Sequence, residues 1–350
     1  MTVRDDLRSL LTFRESPVRW PVALQAAIAI GLPVAIFTVA GREDLGLLAS
    51  TGGFTALYLT NRSRHQRAAL IPLIAVALLA AAAVGVISSG QVFTSIVALL
   101  VIAIAASVLF LGFAVGPPGV LFPVLIGGVA SHLAAPVALG GAGIDGRLVL
   151  GMIATGSLIA YVVVVAPLAI RRVRTIDAER PGERLRFSFD EQTRVILIRI
   201  VIAALLAAAI AAPLGIHRAY WVTLTIVAIL QNGHRVRLTA LRGIHRLLGT
   251  LVGVMLFAVI EIVKPSGWGV VVVLVILQFF VEIVVIRNYG LALVLITPLA
   301  LTISAQGAAT PSSLIVDRVV DTLIGAGIAM TVLLGSLLLR RLRRTSTSTD

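Results

Sequence analysis

The chain has no cysteine, which excludes disulfides, thiolate metal ligands and thiol nucleophiles together. It has one lysine, Lys264, so arginine supplies nearly all the positive charge. Charged residues make up only 13%, against about 25% in a soluble domain. The five histidines form no pair at i, i+4: His65, His234 and His245 stand among arginines, His217 falls in a loop, and His132 lies near the end of an apolar segment. A metal centre therefore has little support. No nucleophile and base stand together, so the sequence does not read as an enzyme, and no cofactor is expected.

What is abundant is apolar sequence. Hydrophobic residues make up 59% and the mean hydropathy is +1.05. Apolar runs recur from Trp20 to Ile170 and again from Val195 to Leu339. A water-soluble core cannot use so many runs of about 20 residues, whereas a bilayer can. The expected fold is an all-α polytopic membrane protein of about twelve transmembrane helices, with both termini cytoplasmic. The expected spans are 20–41, 45–60, 68–88, 92–111, 113–136 and 147–170, then 195–214, 219–232, 244–263, 268–286, 289–306 and 316–339. In this arrangement every Arg and Lys lies on the cytoplasmic side except Arg42, Arg147, Arg218, Lys264 and Arg318. That asymmetry is the positive-inside pattern. The net charge of +13 then serves orientation and anionic headgroups rather than nucleic acid.

The expected organisation is a cytoplasmic segment 1–19, a first six-helix repeat 20–170, a charged cytoplasmic linker 171–194, a second repeat 195–339 and a basic tail 340–350. The first apolar run is long enough to remain as a span, so no cleavable leader is expected. The location expected is a bacterial plasma membrane. Weak internal similarity supports the duplication. Asp145-Gly146-Arg147 opens the sixth span and Asp317-Arg318 the twelfth; Gly156 and Gly327 keep the same offset. Pro33 and Pro213 end the first and seventh spans, and Pro123 and Pro298 interrupt the fifth and eleventh. Six spans is an even number, so the two repeats would run parallel.

Matched proline-broken segments point to a transport site, with Pro123 in one and Thr297-Pro298 in the other. Each break either faces a cavity or is an ordinary kink satisfied by a neighbouring helix. Ionisable residues inside spans point the same way. Asp317, Arg318 and Asp321 fall on neighbouring helical turns, so they form either an anion-guiding, proton-accepting cluster or an ion pair capping a helix near the outer water. Arg147 is the first-half counterpart of Arg318. Glu282, one turn after Gln278, is either a second such site or a group that pairs with Arg287. The basic stretches Arg62, Arg64, Arg67 and Arg235, Arg237, Arg242, Arg246 form either a funnel for anions at the inner mouth or topology determinants alone. Gly249-x-x-x-Gly253 permits close helix approach.

Four pieces of the second half, taken in order, carry a resemblance: Ala219-Tyr220-Trp221-Val222-Thr223-Leu224-Thr225; Arg246-Leu247-Leu248-Gly249-Thr250-Leu251-Val252-Gly253; Asn288-Tyr289-Gly290 followed by Thr297-Pro298; and Arg318-Val319-Val320-Asp321-Thr322-Leu323-Ile324-Gly325. Together they resemble the fusaric acid resistance-like (FUSC) family, which belongs with the aromatic acid exporters and is distantly similar to plant aluminium-activated malate transporters. Where the family often has a Pro-Asp pair, this chain reads Gln231-Asn232-Gly233-His234. Larger members also carry a sizeable cytoplasmic domain, of which this sequence holds no counterpart. The resemblance implies export of organic, often aromatic, carboxylates, or passive anion conduction. The partners expected are membrane lipid and a small organic anion, with a homodimer as the simplest assembly. A non-transporting membrane scaffold is the reading from a different class.

Overall fold

The computed structural model describes residues 18–178, 185–214, 220–231, 236–304 and 311–346. It is helical throughout, with no strand among the described residues. The first half holds α1 (Trp20–Val39), α2 (Glu43–Ser50) continued by a 3-10 turn Thr51–Leu57, α3 (Arg64–Ser88), α4 (Val92–Ala106) continued by a π turn to Leu111, α5 (Leu121–Ala134) and α6 (Gly146–Val165). A linker helix α7 (Arg171–Ala178) follows. The second half holds α8 (Glu191–Leu214), α9 (Tyr220–Leu230), α10 (Val236–Val263), α11 (Trp268–Val284), α12 (Tyr289–Ser304) and α13 (Pro311–Ser346).

Helix therefore occupies every expected apolar segment. Among the described residues seven helices are long and apolar enough to cross a bilayer: those within Trp20–Val39, Arg64–Ser88, Val92–Leu111, Gly146–Ala169, Glu191–Ile210, Leu238–Val263 and Ser312–Leu338. The others are shorter. At 1.5 Å per residue, α9 reaches about 17 Å and α5 about 21 Å, against a hydrocarbon core of about 30 Å.

Local chemistry sets the helix starts. Ser63 accepts a hydrogen bond from the Gln66 amide at 3.3 Å and caps α3; Asp145 caps α6 through the Arg147 amide at 2.8 Å; Asp190 binds the Thr193 amide at 2.7 Å ahead of α8. Each satisfies a donor that the first helical turn leaves open. Several boundaries differ from their expected places. α3 begins at Arg64, so Arg64 and Arg67 are helical rather than in a loop; α10 begins at Val236, which puts Arg242 and Arg246 on a helix as well. α13 starts at Pro311, so Arg318 lies well inside the helix instead of opening it.

The proline reading also changes. α1 runs through Pro33 to Val39, and α3 runs through Pro72. Pro123 is the third residue of α5, where its missing N–H would be unbonded anyway, so it starts a helix rather than breaking one. Only Pro298 of the supposed pair lies mid-helix. The chain before α5 turns through Gly116–Gly119 instead of spanning. Gly119 has φ +61, and a Cβ there would meet Gln231 Oε1 at 2.8 Å. That turn is held by two hydrogen bonds: the Tyr58 hydroxyl donates to Gly119 O at 2.8 Å, and the Val120 amide donates to Gln231 Oε1 at 3.0 Å.

Packing follows small residues. On α1, Ala23, Ala26, Ala27 and Ile30 are buried while Leu24, Ile28 and Leu32 face outward, giving a protein side and a lipid side. Helix α3 packs on α5 and α6, and α10 packs on α12 and α13. Helix α1 packs on α11 and α4 on α8, while α9 touches α5, α8 and α13. Gly156 meets the backbone of Ala49 and Gly52 at the α6–α2 crossing. In the second half Gly325, not Gly327, plays that part, against Val222 O and Thr225; nothing lies within 4 Å of a Cβ built on Gly327.

Candidate functional site

Three mutually packed helices, α9, α10 and α13, each bring polar groups into the apolar interior of the second half. Arg318 of α13 is 1% exposed, and its guanidinium carbon sits 3.9 Å from the centroid of the Trp221 ring on α9. A desolvated cation on a Trp face is stabilised by about 2 kcal/mol. Asp321 is 2% exposed, one turn further along α13, and Arg246 of α10 is 3% exposed. Arg246, Asp321, Tyr220 and Tyr289 all lie within electrostatic reach of the Arg318 guanidinium.

The aromatic groups form a second layer. Tyr220 and Trp221 rings are 5.0 Å apart. Tyr289 at the start of α12 lies under Arg242, 4.8 Å from guanidinium to centroid, and 3.5 Å from Arg246 Nη1 through its hydroxyl. The His245 ring is 6.4 Å from that of Tyr289. Close approach of the helices depends on the motif glycines. A Cβ on Gly249 would meet Gly290 O at 2.5 Å, and one on Gly253 would meet Val294 O at 2.9 Å and Thr297 Cβ at 2.7 Å. Val294 is the residue whose carbonyl Pro298 leaves without its helical donor, so Gly253 packs directly against the one break that α12 contains. Thr297 turns its hydroxyl back to Leu293 O at 2.8 Å.

Several buried polar atoms here have no hydrogen-bond partner among the described residues: Arg318 Nε and Nη1, Arg246 Nε, and the hydroxyls of Thr225 and Thr250. Buried donors are nearly always satisfied, so a cluster of exceptions calls for an explanation in terms of function or bound species. All five atoms belong to motif residues.

Other expected site residues go elsewhere. Arg147 is exposed at the first turn of α6 and does not correspond in place to Arg318. Asp317 is half-buried on α13, one turn before Asp321. Glu282 does not pair with Arg287. It binds Arg19, Nη2 to Oε2 at 2.9 Å, and accepts from Gln278 Nε2 at 3.4 Å, because α11 packs on α1 and brings the residue just before α1 beside it. Arg67 is turned inward: its two Nη groups donate to Gln25 Oε1 and Ala56 O, both at 2.6 Å. Arg64 reaches Val164 O at 3.1 Å. These two act as struts between helices, while Arg62 stays half-buried. Arg235 and the side chain of Arg237 lie outside the described residues, as do residues 232–234.

The linker supplies a contact with no counterpart in the sequence reading. Asp177 of α7 is buried and accepts from the Arg64 amide at 2.8 Å and from the His65 amide and ring at 2.9 Å, capping α3 from another helix. Burial pushes this carboxyl up, but the amides of Arg64 and His65 and the imidazole outweigh that and hold it below its ordinary value. Phe187 lies on Gly112 and 5.2 Å from the Phe113 ring, and the Ser188 amide donates to Gly112 O at 2.8 Å. Among the described residues no group of His, Asp and Glu is placed to hold a metal.

A multi-pass all-α membrane protein with a buried cation–aromatic cluster is thus the class defined by fold and site. Residues 202–332 match the family model described as fusaric acid resistance protein-like. The resemblance carried by the four motif pieces therefore holds across the helices that build the cluster. A curated relative, "Uncharacterized membrane protein YvaC" from Bacillus subtilis (strain 168), is 34% identical over 161 residues, covering 45% of this chain and 25% of the relative. The chain thus aligns with about a quarter of that relative's length. No solved structure matches.

Proposed function

We propose that the protein is a transporter of small organic, chiefly aromatic, carboxylates in a bacterial plasma membrane, and that Arg318, Arg246 and Trp221 form its anion site. The observation that supports this reading is the buried arginine pair beside an aromatic face, in which Arg318 Nε and Nη1 and Arg246 Nε have no hydrogen-bond partner among the described residues. A carboxylate would accept from those donors, in bonds about twice as strong as neutral ones, and its ring would lie against Tyr220 and Trp221. Arg318 and Arg246 with Asp321 sum to +1, which a monoanion neutralises.

The topology proposed is two parallel six-helix repeats with cytoplasmic termini. It is supported by matched neighbours in the two halves: α3 with α5 and α6 against α10 with α12 and α13, and α1 with α11 against α8 with α4. The outward direction proposed is supported by the arginine-rich ends assigned to the inner side, which would concentrate anions there. Asp321 is the group beside the site that would take up a proton, since Glu282 is committed to Arg19. The test is uptake of labelled benzoate into inverted vesicles. Uptake driven by an acid interior and lost in Asp321→Asn supports a proton-coupled exporter. Flux that follows voltage alone and survives Asp321→Asn makes the protein an anion channel. No flux of any acid in either assay ends the transport reading.

A further inference from the structure

A cavity of about 50 Å³ lies at the α3–α4–α5 junction, beside the end of α5 and the start of α9. Its wall includes Ser89, Ser95, Ser131, His132, Gly128 and Tyr220. The hydroxyls form a short relay: Ser131 Oγ donates to Ser95 Oγ at 3.1 Å, and Ser95 Oγ to Ser88 O at 3.0 Å. Most of the wall is apolar, but the hydroxyls and the His132 imidazole on one side give water the polar partners it needs, whereas dry cavities in proteins are lined by apolar groups alone. At about 10–15 Å³ of such volume per water, this one admits several.

Tyr220 is the partition between this cavity and the arginine cluster. Its Cβ lies where a side chain on Gly128 would go, at 2.2 Å from the position of a Cβ. Its ring is 6.4 Å from that of His132 on the cavity side and 5.0 Å from that of Trp221 on the other. Trp221 in turn carries Arg318. One row of rings therefore runs from the cavity to the buried guanidinium.

We propose that the cavity is a hydrated anteroom on the outer side of the anion site, taking the carboxylate of a small aromatic acid as it passes Tyr220. This rests on the assignment of Arg318 as the anion site. The resting volume suits a carboxylate with waters and falls short of the roughly 150 Å³ that accommodates a benzene ring, so the ring passes only when Tyr220 swings aside.

The absence of native cysteine makes the experiment direct. Single cysteines are placed in the full chain at Ser131 and, as a reference, at Gly90, which is exposed in the turn before α4 with open space around it. The membrane-impermeant anionic reagent sulfonatoethyl methanethiosulfonate is added to the outside of intact cells. The expected result is modification of both, with benzoate at ten times its apparent Kd slowing reaction at Ser131→Cys about tenfold, as simple competition requires, and leaving Gly90→Cys unchanged. Ser95→Cys serves if Ser131→Cys fails to fold. An unreactive cavity cysteine beside a reactive Gly90→Cys overturns the proposal, as does reaction without benzoate protection. Reaction of Gly90→Cys only from the inside overturns the outer placement. Loss of benzoate flux in Arg318→Met together with an unprotected Ser131→Cys leaves the site assignment standing and removes the anteroom alone.

Discussion

The stacking of Arg318 on Trp221 can be weighed by a double-mutant cycle. Removing the guanidinium alone, by Arg318→Met, also changes the surroundings of Asp321 and relieves two donors that make no hydrogen bond among the described residues. The single variant therefore mixes terms of opposite sign. Removing the ring alone, by Trp221→Leu, adds a packing loss. The cycle cancels both and leaves the pair's own coupling. Exposed cation–π contacts contribute about 0.5–1 kcal/mol and desolvated ones about 2 kcal/mol or more. Here both groups are about 2% exposed or less and only 3.9 Å separates cation and ring, so the upper figure applies. The expected coupling is about 2 kcal/mol, close to a thirtyfold change in an equilibrium constant. It is read as the non-additivity of unfolding free energies of the four purified proteins in mixed micelles titrated with SDS. The same cycle on benzoate flux should be strongly non-additive, because each single change disables the same site. A stability coupling under about 0.5 kcal/mol would refute the argument, since it would mean that the guanidinium is held by something other than the indole.

Three further outcomes are expected. Arg19→Gln and Glu282→Gln should couple by about 1–3 kcal/mol in the same assay, because they form one short ion pair between α1 and α11; additive losses would show that the two helices are joined by packing alone. Asp177 has a lowered folded pKa, so its contribution is fully present above the unfolded value of 3.8 and is lost as pH falls through the folded one. Limited proteolysis of the linker should therefore be slow at neutral pH and speed up only below about pH 4, whereas Asp177→Asn should be cut quickly throughout; equal cutting of the two at pH 7 would remove the cap from the account. Gly253→Leu should cost about 1–3 kcal/mol through overpacking against Thr297 and Val294 O, while Gly327→Leu should be near neutral, and a reversal of that order would show the α10–α12 crossing to be misread.

The helices were largely legible in the chain because hydropathy is a local signal. Every apolar segment became helix, and the four motif pieces turned out to hold both the close helix crossings and the buried polar cluster. The misreadings share a cause, which is that hydropathy does not register turns. Residues 113–120 are as apolar as a span, yet Gly116–Gly119 turns the chain and makes Pro123 a helix start. The Ser63-x-x-Gln66 and Asp145 signals were there to place two helix starts correctly. Partners far apart in sequence were not legible at all. Nothing near Glu282 announces Arg19, and nothing near Arg318 announces Trp221; each pairing exists because two helices pack. Arg147 and Arg318 looked equivalent at constant offset, but α13 begins six residues before its Asp317 whereas α6 begins just after Asp145, so one arginine is outside and the other within.

The brevity of α9 has an electrical consequence. Where water reaches both ends of an 11-residue helix, the membrane voltage falls over about 17 Å rather than about 30 Å, so the local field is nearly twice its usual strength. A single negative charge crossing that step gains about 2.3 kcal/mol per 100 mV. On the proposed transport reading, a cell held negative inside would therefore expel a monoanion along this route before any other energy source is engaged, and the arginines would set which anions enter rather than what drives them.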